Sequence, residues 1–357
     1  MPRILIAASG TGGHIFPALA VAEAFPMPWE VIWLGVADRL ETKLLPEKYF
    51  LKTISGGGLQ GSFYRKMLSF LKLFLSTFDV VSLIRKKRIN VVFSTGGYIA
   101  APAILAAVLC NIPIILHESN AEPGRVVKLM ARFCNIVAIG FMEASNRLIG
   151  CKTLFTGTPV RSSFFSLKKL PGWVPFGDGP LIVVMGGSQG AVGLNKMVRK
   201  IIPRLLNVGC RIVHLTGEND PEYKKTSHAN LVERKFSNEI PALLKNADLV
   251  ISRSGASALS ELAVCEIPAI LVPYPQAKDN HQEINALNFA KAGAAVIVSQ
   301  NQSNNNALWN SISELLALHL GKPDRKTTLL INMRLAMKKM AVFDSVQKLI
   351  DAINQLI

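Results

Sequence analysis

Two stretches of this chain follow one grammar. "RILIAASGTGGHIFPALAVAEAF" (residues 3–25) and "PLIVVMGGSQGAVGLNKMVRKIIPRL" (residues 180–205) each pass from a short apolar run through a glycine turn into a helical pattern. A short apolar run without polar alternation reads as a strand buried on both faces, and such strands belong to parallel sheets covered by helices. The repeat therefore restricts the fold to two Rossmann-like, doubly wound α/β units. In such sheets ligands bind beyond the carboxyl ends of the strands, so the two sites are expected to face a shared cleft.

The rest of the sequence fits this frame. Further apolar runs predict strands over 4–8, 31–35, 91–94, 114–117, 136–139, 181–185, 212–215, 249–252, 269–272 and 295–298. The seam falls near the Pro- and Gly-rich segment 157–180, and a length of 357 residues suits two domains. The apolar stretch 99–116 is interrupted by Pro102, Asn111 and Pro113, which predicts a helix followed by a strand instead of a membrane span. Strand-like residues begin at Arg3, with no secretory pattern before them. The five cysteines are odd in number and scattered without a C-x-x-C pair, which predicts a reduced intracellular chain.

Several chemistries are excluded. Gly10-Thr11-Gly12-Gly13-His14-Ile15 departs from the dinucleotide fingerprint at its last position, and Gly35 stands where an acidic residue would close the second strand. A P-loop is absent, as are Asp-x-Asp and histidine pairs at ligand spacing, so no metal ion and no cofactor are expected. The net charge of +16 predicts an anionic partner. No nucleic-acid recognition motif accompanies that charge, so nucleic acid is not the expected one.

Three glycine turns follow predicted strands: Gly10–Gly13, Gly96-Gly97-Tyr98 and Gly186–Gly190. Glycine lets the backbone approach a ligand, and the helix that follows offers N–H groups and partial positive charge, so the set favours phosphate. A fourth strand end carries Arg253-Ser254-Gly255, with Arg253 suited to phosphate. Glu261 follows as either a carboxylate for ribose hydroxyls or a solvated helix residue. Asp279, Asn280, His281, Gln282 and Asn285 cluster after a Pro-rich turn, which suits a hydroxyl-rich sugar or, more simply, helix capping by Asp279.

Residues 63–88 predict a long amphipathic helix. Met67, Leu68, Phe70, Leu71, Phe74, Leu75 and Phe78 span an arc of about 160°, wider than one core face needs. Lys72 and the run Arg85–Arg88 stand beside it. Part of this arc is expected in the core, and the surplus suggests docking on an anionic membrane surface.

Taken together, the segments 9–17, 95–98, 117–120, 157–161, 186–190, 253–256 and 279–282 resemble the MurG family, whose members add N-acetylglucosamine to lipid I to give lipid II for bacterial peptidoglycan. The resemblance implies a GT-B fold with domains 1–161 plus 341–357 and 162–340. It implies UDP-N-acetylglucosamine held by Ser188, Gln189, Gly190, Arg253, Ser254, Gly255, Glu261, His281 and Gln282. It implies lipid I held by Thr11, Gly12, Gly13, Gly96, Gly97, Tyr98, Asn120 and Arg161. It also places the 63–88 segment at the family's membrane patch, with the chain on the cytoplasmic face of the inner membrane and protein partners to be sought among cell-wall synthesis and division proteins. Thr158 and Ala258 depart from the family's usual Asn and Thr.

The implied reaction is a single inverting displacement, whose sugar hydroxyl needs a general base, and His14 is the expected one. Two other readings share these features. One is a GT-B enzyme acting on another lipid such as diacylglycerol. The other is a nucleotide-sugar binding protein without catalysis, which would have no need of His14.

Overall fold

The computed structural model describes residues 1–37, 39–54, 63–166, 168–187, 190–223, 226–300, 306–318 and 324–357, and only the backbone of residues 63–70. The chain divides into two compact units. One comprises Met1–Arg161 with Phe343–Ile357, and the other comprises Ser162–Val342.

In the first unit a parallel sheet takes the strands β1 (Arg3–Ala7), β2 (Glu30–Val36), β3 (Phe50–Ile54), β4 (Val91–Ser94), β5 (Ile114–Glu118), β6 (Ile136–Ile139) and β7 (Thr153–Phe155), in the order β3-β2-β1-β4-β5-β6-β7. The two-residue pleat sorts its side chains to opposite faces. Leu5, Ala7, Ile32, Leu34 and Val92 pack with Ile99, Ala103 and Ile104 around the helix Ala100–Leu109. Ile4, Ile6, Trp33 and Phe93 pack on the other face, against Ile15 and Leu19 of the helix Gly12–Ala24 and Leu349 and Ile353 of the last helix, Ser345–Asn354. The chain's C-terminal segment thus completes the core of the unit that its N-terminus begins. Trp33 is fully buried, and its indole N–H donates to the Ala8 carbonyl at 2.9 Å, which fixes the chain just where β1 enters its glycine turn.

The apolar stretch 99–116 is the helix Ala100–Leu109 followed by β5, and Asn111 takes the left-handed conformation between them (φ 56°). Among the described residues no helix is long and apolar enough to cross a membrane.

In the long helix Phe63–Lys87 the described core face is Leu73, Val80, Leu83 and Ile84. Leu71, Phe74, Leu75 and Phe78 are 51%, 50%, 55% and 58% exposed, so the described part of that arc stands entirely on the surface, with Lys72 exposed beside it. The side chains of Met67, Leu68 and Phe70, the rest of the predicted arc, lie outside the described residues.

The second unit has a parallel sheet of β8 (Leu181–Met185), β9 (Arg211–Leu215), β10 (Leu231–Arg234), β11 (Leu249–Ser252), β12 (Ala269–Leu271) and β13 (Ala295–Ile297), in the order β10-β9-β8-β11-β12-β13. Ile182, Val184, Ile251 and Ile270 meet Leu194, Leu205, Leu308 and Ile312 of the covering helices. In both units the first strand is interior, and the turns that carry the predicted site residues leave from neighbouring strands: β1, β4 and β5 in one, β8, β11 and β12 in the other. The two units are Rossmann-like domains of the kind that make up a GT-B fold.

Candidate active site

The first unit gathers its turns around His14. After β1 the chain passes Ser9 and Gly10 (φ 102°), and Thr11 then precedes the helix Gly12–Ala24. Thr11 makes no side-chain capping bond, and the first N–H groups of a helix have no carbonyl of their own turn to bond. Thr11 and Gly13 are exposed, while Gly12 is buried under Phe16, whose ring would lie 2.9 Å from any Cβ placed there. The Arg161 guanidinium stacks on the outer side of the same ring, 4.2 Å from its centroid.

His14 is the third residue of this helix and is half-buried. Its Nδ1 lies 2.7 Å from the Thr95 carbonyl, which can only accept, so Nδ1 carries the hydrogen. In the neutral ring Nε2 is then the proton acceptor. The Thr95 hydroxyl returns a bond to the His14 carbonyl at 3.0 Å. Gly96 and Gly97 follow with φ of 87° and 75°, and a Cβ on either would sit 3.7 Å from the imidazole. The second turn favours glycine because its backbone is left-handed, and it packs beside the ring. Tyr98 is half-buried just before the helix Ala100–Leu109.

Asn120 is set by Glu118 at the end of β5. One Glu118 oxygen accepts from the Asn120 backbone N–H at 2.9 Å and its side-chain amide at 3.0 Å, and the other accepts from Gly124 N–H at 2.8 Å. His117, next to it, is fully buried. Its Nε2–H donates to the Gly157 carbonyl at 3.0 Å, and burial lowers its pKa to about 4 despite that bond, with His14 lowering it further. It is a neutral support for the loop that carries Thr158 and Arg161. Thr158 itself is buried, and among the described residues its hydroxyl has no hydrogen-bond partner.

The second unit builds a different environment. Gly187 and Gly190 have φ of 90° and 83°, and a Cβ on Gly190 would lie 2.5 Å from the Thr216 carbonyl. Ser188 and Gln189 lie outside the described residues. Arg253 leaves β11 and is buried. Its Nη1 donates to the Val272 and Pro273 carbonyls at 2.9 and 3.1 Å, and its Nη2 to the Gln300 amide oxygen at 2.5 Å. Burial lowers its pKa to about 10, so it remains a cation at neutral pH. Among the described residues no carboxylate pairs with it, so its charge is available to an anion.

Ser254 is fully buried, its hydroxyl donating to the Gln282 carbonyl at 2.8 Å, and Gly255 precedes the helix Ala256–Val264, which carries the half-exposed Glu261. The Gln282 side-chain oxygen accepts from Tyr274 N–H at 2.9 Å, which closes the Pro-rich turn. Asn285 is buried and donates to the Ser254 carbonyl at 3.2 Å. Asp279 does not cap the helix His281–Lys291 as the simpler reading has it. Asn280 stands at the cap position without a side-chain bond, and both residues are left-handed (φ 53° and 54°). Two consecutive non-glycine residues in that region mark a strained turn. His281 sits directly after it, with Nδ1 2.6 Å from the Lys278 carbonyl.

Each predicted residue within the described regions stands on a turn at the carboxyl ends of its own unit's strands, or on the helix that follows. Among the described residues no cluster of three His, Cys, Asp or Glu could hold a metal ion. Two residues that organise the turns carry no motif in the sequence, Glu41 and Gln300, while Glu118 stands in the segment 117–120 without a role assigned to it. Gln300 lies just beyond β13, which is the signal it offers.

Comparison with known proteins gives the family. Residues 4–139 match the glycosyltransferase family 28 N-terminal domain, and residues 181–339 match the C-terminal domain of the same family. Over 357 residues the chain is 57% identical to the UDP-N-acetylglucosamine–N-acetylmuramyl-(pentapeptide) pyrophosphoryl-undecaprenol N-acetylglucosamine transferase of Prochlorococcus marinus strain MIT 9303, covering 100% of this chain and 99% of that one. It is 56% identical to the protein of the same description from Synechococcus sp. strain CC9605, with 100% of each covered. The crystal structure of Acinetobacter baumannii MurG superposes with a TM-score of 0.77 at 29% identity, covering 99% of this chain and 100% of that one. This chain belongs to the MurG family of glycosyltransferases.

Proposed function

We propose that this chain transfers N-acetylglucosamine from UDP-N-acetylglucosamine to the C4 hydroxyl of the muramyl sugar of lipid I, giving lipid II with inversion at the anomeric carbon. The observation that carries the catalytic part is the imidazole of His14, held by Nδ1 on the Thr95 carbonyl with Nε2 left to accept. In one displacement the O4–C1 bond forms, the bond from C1 to the diphosphate oxygen breaks, UDP leaves with that electron pair, and the hydroxyl proton passes to Nε2. Gly12, Gly13, Gly96, Gly97 and Arg161 supply close backbone approach and positive charge for the acceptor's pyrophosphate. The turn Gly186–Gly190 and Arg253 stabilise the leaving diphosphate, so the step needs no metal ion. Glu261 takes the ribose, and His281 with Gln282 takes the sugar.

The acceptor is a lipid, and the exposed Leu71, Phe74, Leu75 and Phe78 with Lys72 are suited to bring the chain to an anionic membrane surface without crossing it. That placement is peripheral, on the cytoplasmic face where the nucleotide donor is found.

The test is transfer of radiolabelled N-acetylglucosamine from its UDP donor to a lipid I analogue, with EDTA present and diacylglycerol as a second acceptor. Label in the lipid I product alone is the expected result. Label on diacylglycerol overturns the acceptor assignment, and loss of transfer in EDTA overturns the metal-free step.

A further inference from the structure

Glu41 opens the short helix Glu41–Leu44 that follows β2 and is fully buried. One carboxylate oxygen accepts from the Ser9 hydroxyl at 2.5 Å and from Val36 N–H at 2.8 Å. The other accepts from Gly10 N–H at 3.2 Å. Among the described residues no cation pairs with it. A buried carboxylate held only by neutral donors is costly unless all its oxygens are engaged, and here three donors converge on it. Gly35 makes the space, since a Cβ there would stand 2.9 Å from Glu41 Cγ. The strand end that closes with an acidic residue in dinucleotide-binding units is thus emptied here, and a carboxylate from the next helix enters behind the first glycine turn.

From this geometry we infer that Glu41 is a positioning residue for the acceptor turn. It does not touch the ligand. It draws Ser9 and Gly10 N–H to the rear, which commits Gly10 to its left-handed conformation and turns the following Thr11–Gly13 segment outward. Its effect falls on binding more than on proton transfer, because His14 has an anchor of its own in Thr95. The inference rests on the reading of this turn as the lipid I site.

The test compares acceptor and donor kinetics for wild type, Glu41→Gln, Ser9→Ala and the double variant, with a lipid I analogue and UDP-N-acetylglucosamine. The carboxamide presents an NH2 to a site lined by donors, so Glu41→Gln is expected to raise the acceptor KM about tenfold, with kcat and donor KM within about threefold. Ser9→Ala removes one donor without disturbing the carboxylate and is expected to raise acceptor KM about threefold. In the Glu41→Gln background it is expected to add nothing further. Additive effects, an unchanged acceptor KM, or equal losses in donor and acceptor parameters overturn the role of Glu41. Absence of transfer by the wild-type chain overturns instead the reading of the site on which it rests.

Discussion

The two glycine turns that open the two units each lead from a buried strand into a helix, and they differ in the charge placed behind them. The third residue of the helix after β1 is His14, turned toward the neighbouring glycine turn, whereas the third residue after β8 is Leu194, fully buried in the core. Behind the first turn lies the anionic Glu41, which pulls donors inward; beside the second lies the cationic Arg253, buried with no carboxylate partner among the described residues. One strand–turn–helix frame therefore serves two tasks. In the proposed function the first turn accepts a proton and seats an acceptor, and the second neutralises a leaving group. Among the described residues, what separates them is a handful of side chains beside the turn.

The comparison can be broken at each of these side chains. The largest effect is expected at His14. His14→Ala removes the proton acceptor and is expected to lower kcat by about two to four orders of magnitude, checked by initial rates at saturating substrates. Next comes Arg253→Ala, expected to weaken UDP binding by about tenfold to a hundredfold, checked by calorimetric titration. Arg253→Lys should not restore it, because one ammonium cannot hold two carbonyls, Gln300 and a phosphate together. Replacing Leu71, Phe74, Leu75 and Phe78 together by serine is expected to weaken binding to anionic vesicles by about tenfold or more, read by co-sedimentation, while UDP affinity stays unchanged.

The smallest effect concerns His117. Its folded pKa of about 4 lies below the ordinary value of 6.5, so between these pH values the unfolded chain binds more protons. The stability that this neutral histidine contributes is therefore complete above pH 6.5 and is lost as pH falls toward 4. Across that window the loss is on the order of 3 kcal/mol at most. His117→Gln should flatten that part of the acid limb in denaturant melts; an unchanged slope would remove the assignment.

Much of the fold was legible because interior strands of a parallel sheet are buried on both sides and write themselves as unbroken apolar runs. All ten predicted strands occur within a residue or two of their expected limits. The three that escaped, β3, β7 and β10, are all sheet edges. Phe50–Ile54 exposes most of its residues, Thr153–Phe155 has none fully buried, and Leu231–Arg234 alternates buried with half-buried. An edge has one neighbour and incomplete cover, so its composition resembles that of a loop. The turns at the site were legible because glycine and helix starts are local signals. Glu41 was not, because its meaning depends on a fold that brings residues about thirty positions apart together. On the long helix, hydrophobic periodicity marks a face without saying what covers it; among the described side chains the core took Leu73 and Val80 and left Phe74 and Phe78 outside.

The most direct test of the division of labour is UDP titration of His14→Ala and Arg253→Ala beside their transfer rates, on the same preparations. The account predicts that His14→Ala binds UDP within about twofold of wild type while turnover collapses, and that Arg253→Ala loses UDP affinity first. Near-normal turnover in His14→Ala, or a loss of UDP affinity there that matches its loss of rate, would contradict it.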